Sequence, residues 1–239
     1  MEQNIFKVMV NLQHKLNIQT AGENYLEKNL NWNSAIIAES GELLDSLGYK
    51  WWKKQEPDME NVKVEAIDLL HFVISDTLQM NYDIRNFSDI LNSTIRDFEV
   101  GFKEISINLK NSKLLKLIDL LNTDRLSRFI VMKAIFEKLE MSNEDVYIAY
   151  ITKNCLNKFR QNNGYKDGTY IKTWWDNRED NVVAFDLASI IGPKETLFDE
   201  LYESLTAYYI KYVLKDKKEA HTSSILDGMP DPFKCYKKI

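Results

Sequence analysis

The sequence contains Ala35-Ile-Ile-Ala-Glu39-Ser-Gly-Glu42-Leu-Leu44, followed further along by Val64-Glu65-Ala-Ile-Asp68-Leu-Leu-His-Phe-Val-Ile74. Each stretch sets two acidic residues three positions apart among apolar residues. In an α-helix, residues i and i+3 lie on the same face. The two stretches therefore predict two helices, each of which presents a pair of carboxylates on one side.

Four carboxylates brought together would repel one another and raise each other's pKa, and a hard divalent cation such as Mg²⁺ or Mn²⁺ relieves that repulsion. Bound metals of this kind most often serve phosphate chemistry. The spacing alone is weak evidence, because 36 acidic residues in 239 give about five such pairs by chance. A solvated helix face is the alternative for either pair. The apolar setting and the 22 residues between Glu42 and Glu65 favour a helical hairpin that brings the pairs face to face.

The composition is that of a globular protein with 44% apolar and 28% charged residues. Only eight glycines and four prolines occur, which favours an all-α fold. A length of 239 residues allows one large domain or two small ones, and we expect a single domain over residues 1–239. The net charge of −5 argues against direct nucleic-acid binding. No leader pattern or membrane-spanning apolar run is seen, and Cys155 and Cys235 form no disulfide framework, so a cytoplasmic protein without membrane contact is expected.

Apolar spacing and capping residues predict the other helices. The first covers residues 5–16, and a polar loop follows over 20–32. Asn33 or Ser34 is expected to cap the first acidic helix, which stops at Gly48, and Pro57-Asp58 starts the second, which runs to about Met80. The remaining predictions are two or three peripheral packing helices in 83–140, a helix from Ser142 to about Arg160, a polar loop over 161–181, a helix from about Lys194 to Leu214, and a tail that contains Gly228–Pro232.

A second group of chemically informative residues lies near the end of the helix that starts at Ser142. Lys153, Asn157 and Arg160 are spaced i, i+4 and i+7 on one face, and together they supply positive charge and hydrogen-bond donors suited to a polyphosphate. Gly164-Tyr165-Lys166 could fold over that face as a lid. The alternative is a solvated basic helix end favoured by the helix dipole. We expect this block to act on phosphates and not on folding.

Two single residues have two interpretations each, and a third has one. Trp52 either stacks on a base or plugs the end of a helix. His71, one turn after Asp68, is either a core histidine or a contact to a base. Cys155 is expected to be a small packing residue.

These motifs resemble those of the all-α dimeric dUTP pyrophosphatases, a branch of the MazG-like superfamily. The resemblance covers the N-terminal third and residues 147–181. Its blocks are Leu12-Gln13…Asn17, Asn31-Trp32…Glu39-x-x-Glu42-Leu-Leu-Asp45-Ser46, Lys50-Trp-Trp52-Lys53, Glu65-x-x-Asp68-Leu-x-His71-Phe72 and the long block from Lys153 to Asn181. The acidic pairs indicate only the superfamily, whereas the last block is specific. Gly41 departs from the pattern, because alanine is usual there.

The resemblance implies a homodimer that hydrolyses dUTP, and dUDP as well, to dUMP by attack of water on the β-phosphate. It implies Mg²⁺ as the cofactor, with Mn²⁺ as a substitute. It implies a metal site of Glu39, Glu42, Glu65 and Asp68, with Glu39 also orienting and deprotonating the water. The implied nucleoside contacts are Gln13, Asn17, Trp52, His71 and Phe72. The implied phosphate contacts are Lys153, Asn157, Arg160, Tyr165, Lys166 and Asn181.

Two rival functions stay open at this point. The same chemistry could act on another deoxypyrimidine triphosphate such as dCTP, because the amide of Gln13 or Asn17 can turn to suit either base edge. A non-catalytic nucleotide-binding protein of the same fold is the second rival, since one fold hosts several functions.

Overall fold

The computed structural model describes residues 2–82, 86–103, 106–174 and 177–214, with side chains described from residue 5 onward. Its described residues are all-α, as predicted, and an isolated bridge between Thr173 and Glu179 is the β-type pairing found among them. The helices are α1 Glu2–Ala21, α2 Trp32–Ser46, α3 Met59–Met80, α4 Phe87–Lys103, α5 Ile107–Asn111, α6 Leu114–Thr123, α7 Arg128–Lys138, α8 Asn143–Asn162, α9 Asp180–Ile191 and α10 Leu197–Tyr212.

The chain divides into two compact units, residues 1–150 and 151–239, and the division falls inside α8. The single domain over 1–239 therefore stays a prediction, and the two units are described separately. Among the described helices, none is both long enough and apolar enough to cross a membrane.

The two acidic helices form the predicted hairpin, because α2 and α3 pack closely against each other. Asp58 caps α3 by accepting a hydrogen bond from the amide of Asn61 at 3.0 Å, as expected. The expected cap of α2 at Asn33 or Ser34 is wrong. Asn31 is the cap, because its side-chain oxygen accepts a hydrogen bond from the amide of Ser34 at 3.1 Å. The helix therefore starts at Trp32, earlier than predicted.

The described part of 83–140 contains more helices than predicted, four α-helices and a 3-10 turn at Arg125–Ser127. The polar pair Ser112-Lys113 separates α5 from α6, a division that the apolar spacing alone could not show. These helices complete the core of the first unit, where the ring of Phe98 stacks on Phe129 at 4.6 Å and meets Phe6 edge-on at 4.7 Å. Gly101 permits this close approach of α4 to α7, because an added Cβ would collide with the Cβ of Phe129.

A buried ion pair ties this region to α3. The carboxylate of Asp76, which is 2% exposed, accepts hydrogen bonds from Arg128 at 2.5 Å and from Arg125 at 2.5 and 2.7 Å. Arg128 is also 2% exposed and donates further to the carbonyl of Leu121 at 3.0 Å and to the side chain of Asn33. The 83–140 region is therefore more than packing, because it supplies both cations for a carboxylate on the central helix.

The start of α8 is a capping box at Ser142, the residue from which the sequence predicted this helix. Ser142 Oγ accepts from the amide of Asp145 at 3.1 Å, while the Asp145 carboxylate accepts from the amide of Ser142 at 2.9 Å. In the second unit, α9 lies partly where a loop was expected, and α10 is the predicted last helix, shortened to Leu197–Tyr212. The tail with Gly228–Pro232, and Cys235, lie outside the described residues.

Cys155 is fully buried, and its thiol donates to the carbonyl of Phe198 at 3.5 Å. Burial raises the pKa of this thiol, so the sulfur stays protonated and unreactive at neutral pH. Its expected role as a packing residue is confirmed.

Candidate active site

A cluster of carboxylates lies where the two acidic helices meet. Glu39 and Glu42 from α2 and Glu65 from α3 each offer an oxygen, and these oxygens lie within 4.8 Å of one another. Glu65 is only 9% exposed. Three hard oxygen ligands from two helices at this separation can hold one divalent cation, so the structure fits a metal at this point. Asp68 is not part of this group among the described residues, although it lies one turn beyond Glu65 on the same helix.

The position of Glu65 is fixed by a neighbour on its own helix. The side-chain amide of Asn61 donates to Glu65 Oε1 at 3.0 Å and to Ser46 Oγ, at the end of α2, at 2.7 Å. One amide thereby connects the carboxylate to both helices. The open space around Gly41 shows that no contact there requires glycine, so the departure from alanine does not disturb the cluster.

A buried polar cluster lies between α1, α3 and α8 of the first unit. Gln13 Nε2 donates to Asn17 Oδ1 at 2.9 Å and to Ser75 Oγ at 3.0 Å, while Gln13 Oε1 accepts from the hydroxyl of Tyr150 at 2.8 Å. The ring of His71 stacks on Tyr150 at 4.1 Å, and its Nδ1 lies 2.9 Å from the carbonyl of Ile67. The structure thus brings together three of the five residues predicted to contact the nucleoside.

Sequence reasoning missed Ser75 and Tyr150, the two residues that hold this cluster together. Ser75 follows His71 by one turn on the same face of α3, and that i, i+4 spacing is a signal that could have found it. Tyr150 left no local signal, because it reaches Gln13 only through tertiary packing.

The rings of the other two predicted nucleoside contacts meet different residues. Phe72 faces Trp32, with ring centres 6.2 Å apart. Trp52 is 60% exposed in the loop between α2 and α3, where its ring meets those of Tyr49 and Trp51 edge-on. The structure therefore places Trp52 neither in a helix-end plug nor against the buried polar cluster.

In the second unit, most of the predicted phosphate contacts gather around Arg160. Its guanidinium donates to Asn181 Oδ1 at 3.3 Å and reaches Asn157 Oδ1 at 3.5 Å, and it lies 5.8 Å from the ring centre of Tyr165. Lys153 is buried on the same helix, whereas Lys166 is exposed in the following loop. That loop turns at Gly164, whose φ of 89° favours glycine.

Asp180 is the residue of this group that the sequence did not reveal. Its carboxylate is 1% exposed and accepts two hydrogen bonds from Arg160, both 2.8 Å long, and one from the hydroxyl of Tyr170, also 2.8 Å. Burial opposes the charge of Arg160, but the hydrogen bonds and charge of Asp180 outweigh it and raise the pKa of the guanidinium. Burial, and then the charge of Asp180, raise the pKa of Tyr170 as well.

The expectation that Arg160 acts only on phosphates and not on folding is therefore at odds with its surroundings. Arg160 is 8% exposed and is the cation that pairs with a buried carboxylate. Its bidentate pairing fixes the guanidinium in place before any ligand arrives. A structural role and a ligand-binding role are compatible here, because the pairing orients the group that a phosphate would meet.

Replacing Arg160 by alanine should destabilise the protein by about 3–5 kcal/mol, because it leaves the Asp180 carboxylate buried without a counter-charge. Urea denaturation followed by circular dichroism measures the change. Lys166→Ala, which removes an exposed cation from the adjoining loop, is the matched control and should leave the midpoint unchanged. Adding Asp180→Asn to Arg160→Ala should restore part of the loss. An Arg160→Ala protein as stable as the wild type would refute the structural role.

The profile of one protein family, described as dUTPase, matches residues 5–165, about two thirds of the chain. A comparison with curated proteins gives no match. The matched range contains the carboxylate cluster, the buried polar cluster and the basic face of α8, and it ends at Tyr165. With a helical fold that agrees with the all-α members, the chain belongs to the dUTPase family and is a dUTP diphosphatase.

Proposed function

We propose that this enzyme hydrolyses dUTP, and also dUDP, to dUMP with Mg²⁺ held by Glu39, Glu42, Glu65 and Asp68. The observation that carries the proposal is the convergence of three carboxylates from α2 and α3 to within 4.8 Å in a chain of this family. Asp68 would complete the set by a side-chain rotation on α3. Mn²⁺ has the same ligand preferences and should substitute.

The donor set supports magnesium over softer metals. All four proposed ligands are carboxylates, and the group offers neither sulfur nor imidazole among the described residues. When bound, the ion would neutralise the negative charge that develops on the phosphate oxygens of the substrate.

Glu39 is proposed as the general base. In this role its carboxylate accepts a hydrogen bond from the attacking water, orients the water toward the β-phosphate, and takes its proton as the new P–O bond forms. The bond between the β-phosphorus and the oxygen that bridges the α- and β-phosphates breaks, so that dUMP leaves with that oxygen. dUTP yields pyrophosphate as the second product, and dUDP yields phosphate.

The buried polar cluster is proposed to read the base through Gln13, Asn17 and His71. Ser75 and Tyr150 fix the two amides in the free protein, so the amides are ordered before a nucleotide arrives. A base whose donors and acceptors match them can exchange for these internal hydrogen bonds, whereas a mismatched base leaves a buried polar group unpaired. Phe72 and Trp52 are proposed to supply apolar walls.

The phosphates are proposed to be held by Lys153, Asn157, Arg160, Tyr165, Lys166 and Asn181, with Asp180 as a positioning residue for Arg160. The charge-assisted donors of this set suit a polyphosphate. We also propose that the enzyme is a homodimer, as the resemblance to the dimeric dUTP pyrophosphatases implies, and that it acts in the cytoplasm. Of the rival functions, the non-catalytic protein loses support from the family match, whereas dCTP as the preferred substrate is an outcome of the selectivity test below.

Glu39→Gln should reduce kcat by at least about 100-fold, because the nearly isosteric change removes both a base and a metal ligand. Pyrophosphate release from dUTP in the presence of Mg²⁺ is the measurement, and chelation of the metal should abolish wild-type activity. The control is Glu56→Gln, an exposed acid in the loop of the same hairpin. Wild-type turnover by a folded Glu39→Gln protein would contradict the assignment.

The enzyme should prefer dUTP over dCTP, dTTP and UTP by at least about tenfold in kcat/KM. The edge of cytosine would leave a buried polar group unpaired, which costs about 1–3 kcal/mol, while close aromatic walls would disfavour the 5-methyl group of thymine and the 2′-hydroxyl of UTP. Competition assays with the four nucleotides decide the order. Ser75→Ala should reduce the preference for dUTP over dCTP, because the amides of Gln13 and Asn17 lose the hydroxyl that orients them. Thr77→Ala, on the same helix, should leave that preference unchanged. A preference for dCTP would keep the mechanism and replace the substrate.

A further inference from the structure

A polar cleft lies in the first unit, and its lining shares no residue with the carboxylate cluster or the buried polar cluster. It has a volume of about 400 Å³, within the range typical of small-molecule sites. Its lining comes from the loop that leads into α2, from α3 and from the turn before α7, namely Asn29, Leu30, Asn31, Trp32, Asn33, Asp76 and Arg125. None of these residues has a place in the proposed reaction.

The charged residues that line this cleft are Asp76 and Arg125, and a second arginine, Arg128, is buried behind Asp76. Arg125 and Arg128 both pair with Asp76, so two cations face one carboxylate, and that carboxylate is buried. Arg128 is buried with it, but the side chain of Arg125 is 49% exposed. Arg125 uses Nε and one terminal nitrogen on Asp76, and within the described part of the chain its other terminal nitrogen has no hydrogen-bond acceptor. Asp76 thereby fixes the orientation of a guanidinium that still has donors to offer.

Three asparagines of the lining are oriented so that their NH₂ groups remain as donors. The side-chain oxygen of Asn31 accepts from the amide of Ser34, and that of Asn33 accepts from Arg128. The oxygen of Asn29 accepts from Gln79 Nε2 at 3.0 Å, and Gln79 is itself fixed because its own oxygen accepts from Trp32 Nε1 at 2.7 Å.

Each of these oxygens therefore accepts from a group that can only donate in this structure, and this fixes which end of each amide is the NH₂ group. Among the described residues, the three NH₂ groups have no hydrogen-bond acceptor. The cleft thus offers four donor groups, and the carboxylate in its lining is already paired with two arginines, one of which lines the cleft.

We propose that this cleft binds the phosphate group of a small molecule, at a site separate from the active site. A phosphate presents three or four acceptor oxygens and negative charge, and this matches a guanidinium accompanied by several amide donors. The same chemistry is offered by inorganic phosphate, by pyrophosphate and by the phosphate of a nucleotide. The volume of the cleft has room for more than a lone phosphate ion, so the rest of the ligand would lie against the ring of Trp32.

The test is calorimetric titration of the full chain with inorganic phosphate, pyrophosphate and dUMP, each as a separate probe, in chelator and at low salt. Omitting the metal removes catalysis, so the result is independent of whether the proposed reaction is correct. Asn31→Asp is the main variant. It retains the oxygen that caps α2 but replaces a donor by a negatively charged acceptor, so it should keep the fold and weaken binding of the probe at least about tenfold.

Arg125→Gln is the second variant, and Asp76 keeps its pairing with Arg128 when Arg125 is changed. It should also weaken binding at least about tenfold. The matched controls are Asn108→Asp and Arg96→Gln, which make the same chemical changes at exposed positions outside the cleft, and they should bind as the wild type does. Glu39→Gln should bind the probe normally as well.

The probe that binds most tightly identifies the source of the phosphate. The proposal is overturned if no probe shows saturable binding to the wild type. It is equally overturned if saturable binding is unchanged in both Asn31→Asp and Arg125→Gln, since the phosphate would then be held elsewhere, for instance by the residues around Arg160.

Discussion

Burying a polar side chain costs free energy unless it finds a partner, and helix α3 buries four of them among its apolar residues: Glu65, His71, Ser75 and Asp76. Each needs a hydrogen-bond or ion-pair partner. Asn61 on the same helix holds Glu65 beside α2, and His71 Nδ1 meets the carbonyl of Ile67 one turn earlier while its ring stacks on Tyr150. From other elements, α1 supplies two amides to Ser75, and Arg125 and Arg128 neutralise Asp76. The arrangement of the first unit around α3 is therefore specified by polar partners as well as by apolar packing.

The features that could be predicted from the sequence are those that depend on neighbours along the chain. The acidic pairs at i and i+3, the cap at Asp58 and the capping box at Ser142 and Asp145 are local, and the structure has them where they were expected. Local rules failed where two candidates compete, as at the start of α2, where Asn31 and Asn33 are both good caps and Asn33 instead accepts from Arg128.

The partners that tertiary packing brings together could not be predicted in this way. Asp76 and Arg128 are 52 positions apart, and Tyr150 lies 137 positions from Gln13. Asp180 escaped notice for a different reason, because it follows a loop and nothing in its neighbourhood indicates a buried residue. Each of these groups combines a buried polar atom with a partner distant in sequence, and the periodicity of apolar residues gives no information about such pairs.

Both units contain an arginine whose guanidinium is fixed by a buried aspartate, Arg125 on Asp76 in the first and Arg160 on Asp180 in the second. In each case the carboxylate orients the cation and leaves donor capacity for a ligand. The cost is that part of the binding machinery also supports the fold, so a loss of activity in a variant of either arginine is meaningful only when stability is measured beside it.

The central claim is that the carboxylates of α2 and α3 form one divalent-metal site, and anomalous diffraction from crystals grown with Mn²⁺ tests it most directly. We expect a single strong peak at about 2.0–2.6 Å from oxygens of Glu39, Glu42 and Glu65, with Asp68 turned toward the same ion. A manganese peak elsewhere in the molecule, with these carboxylates free of metal at saturating Mn²⁺, would contradict the claim.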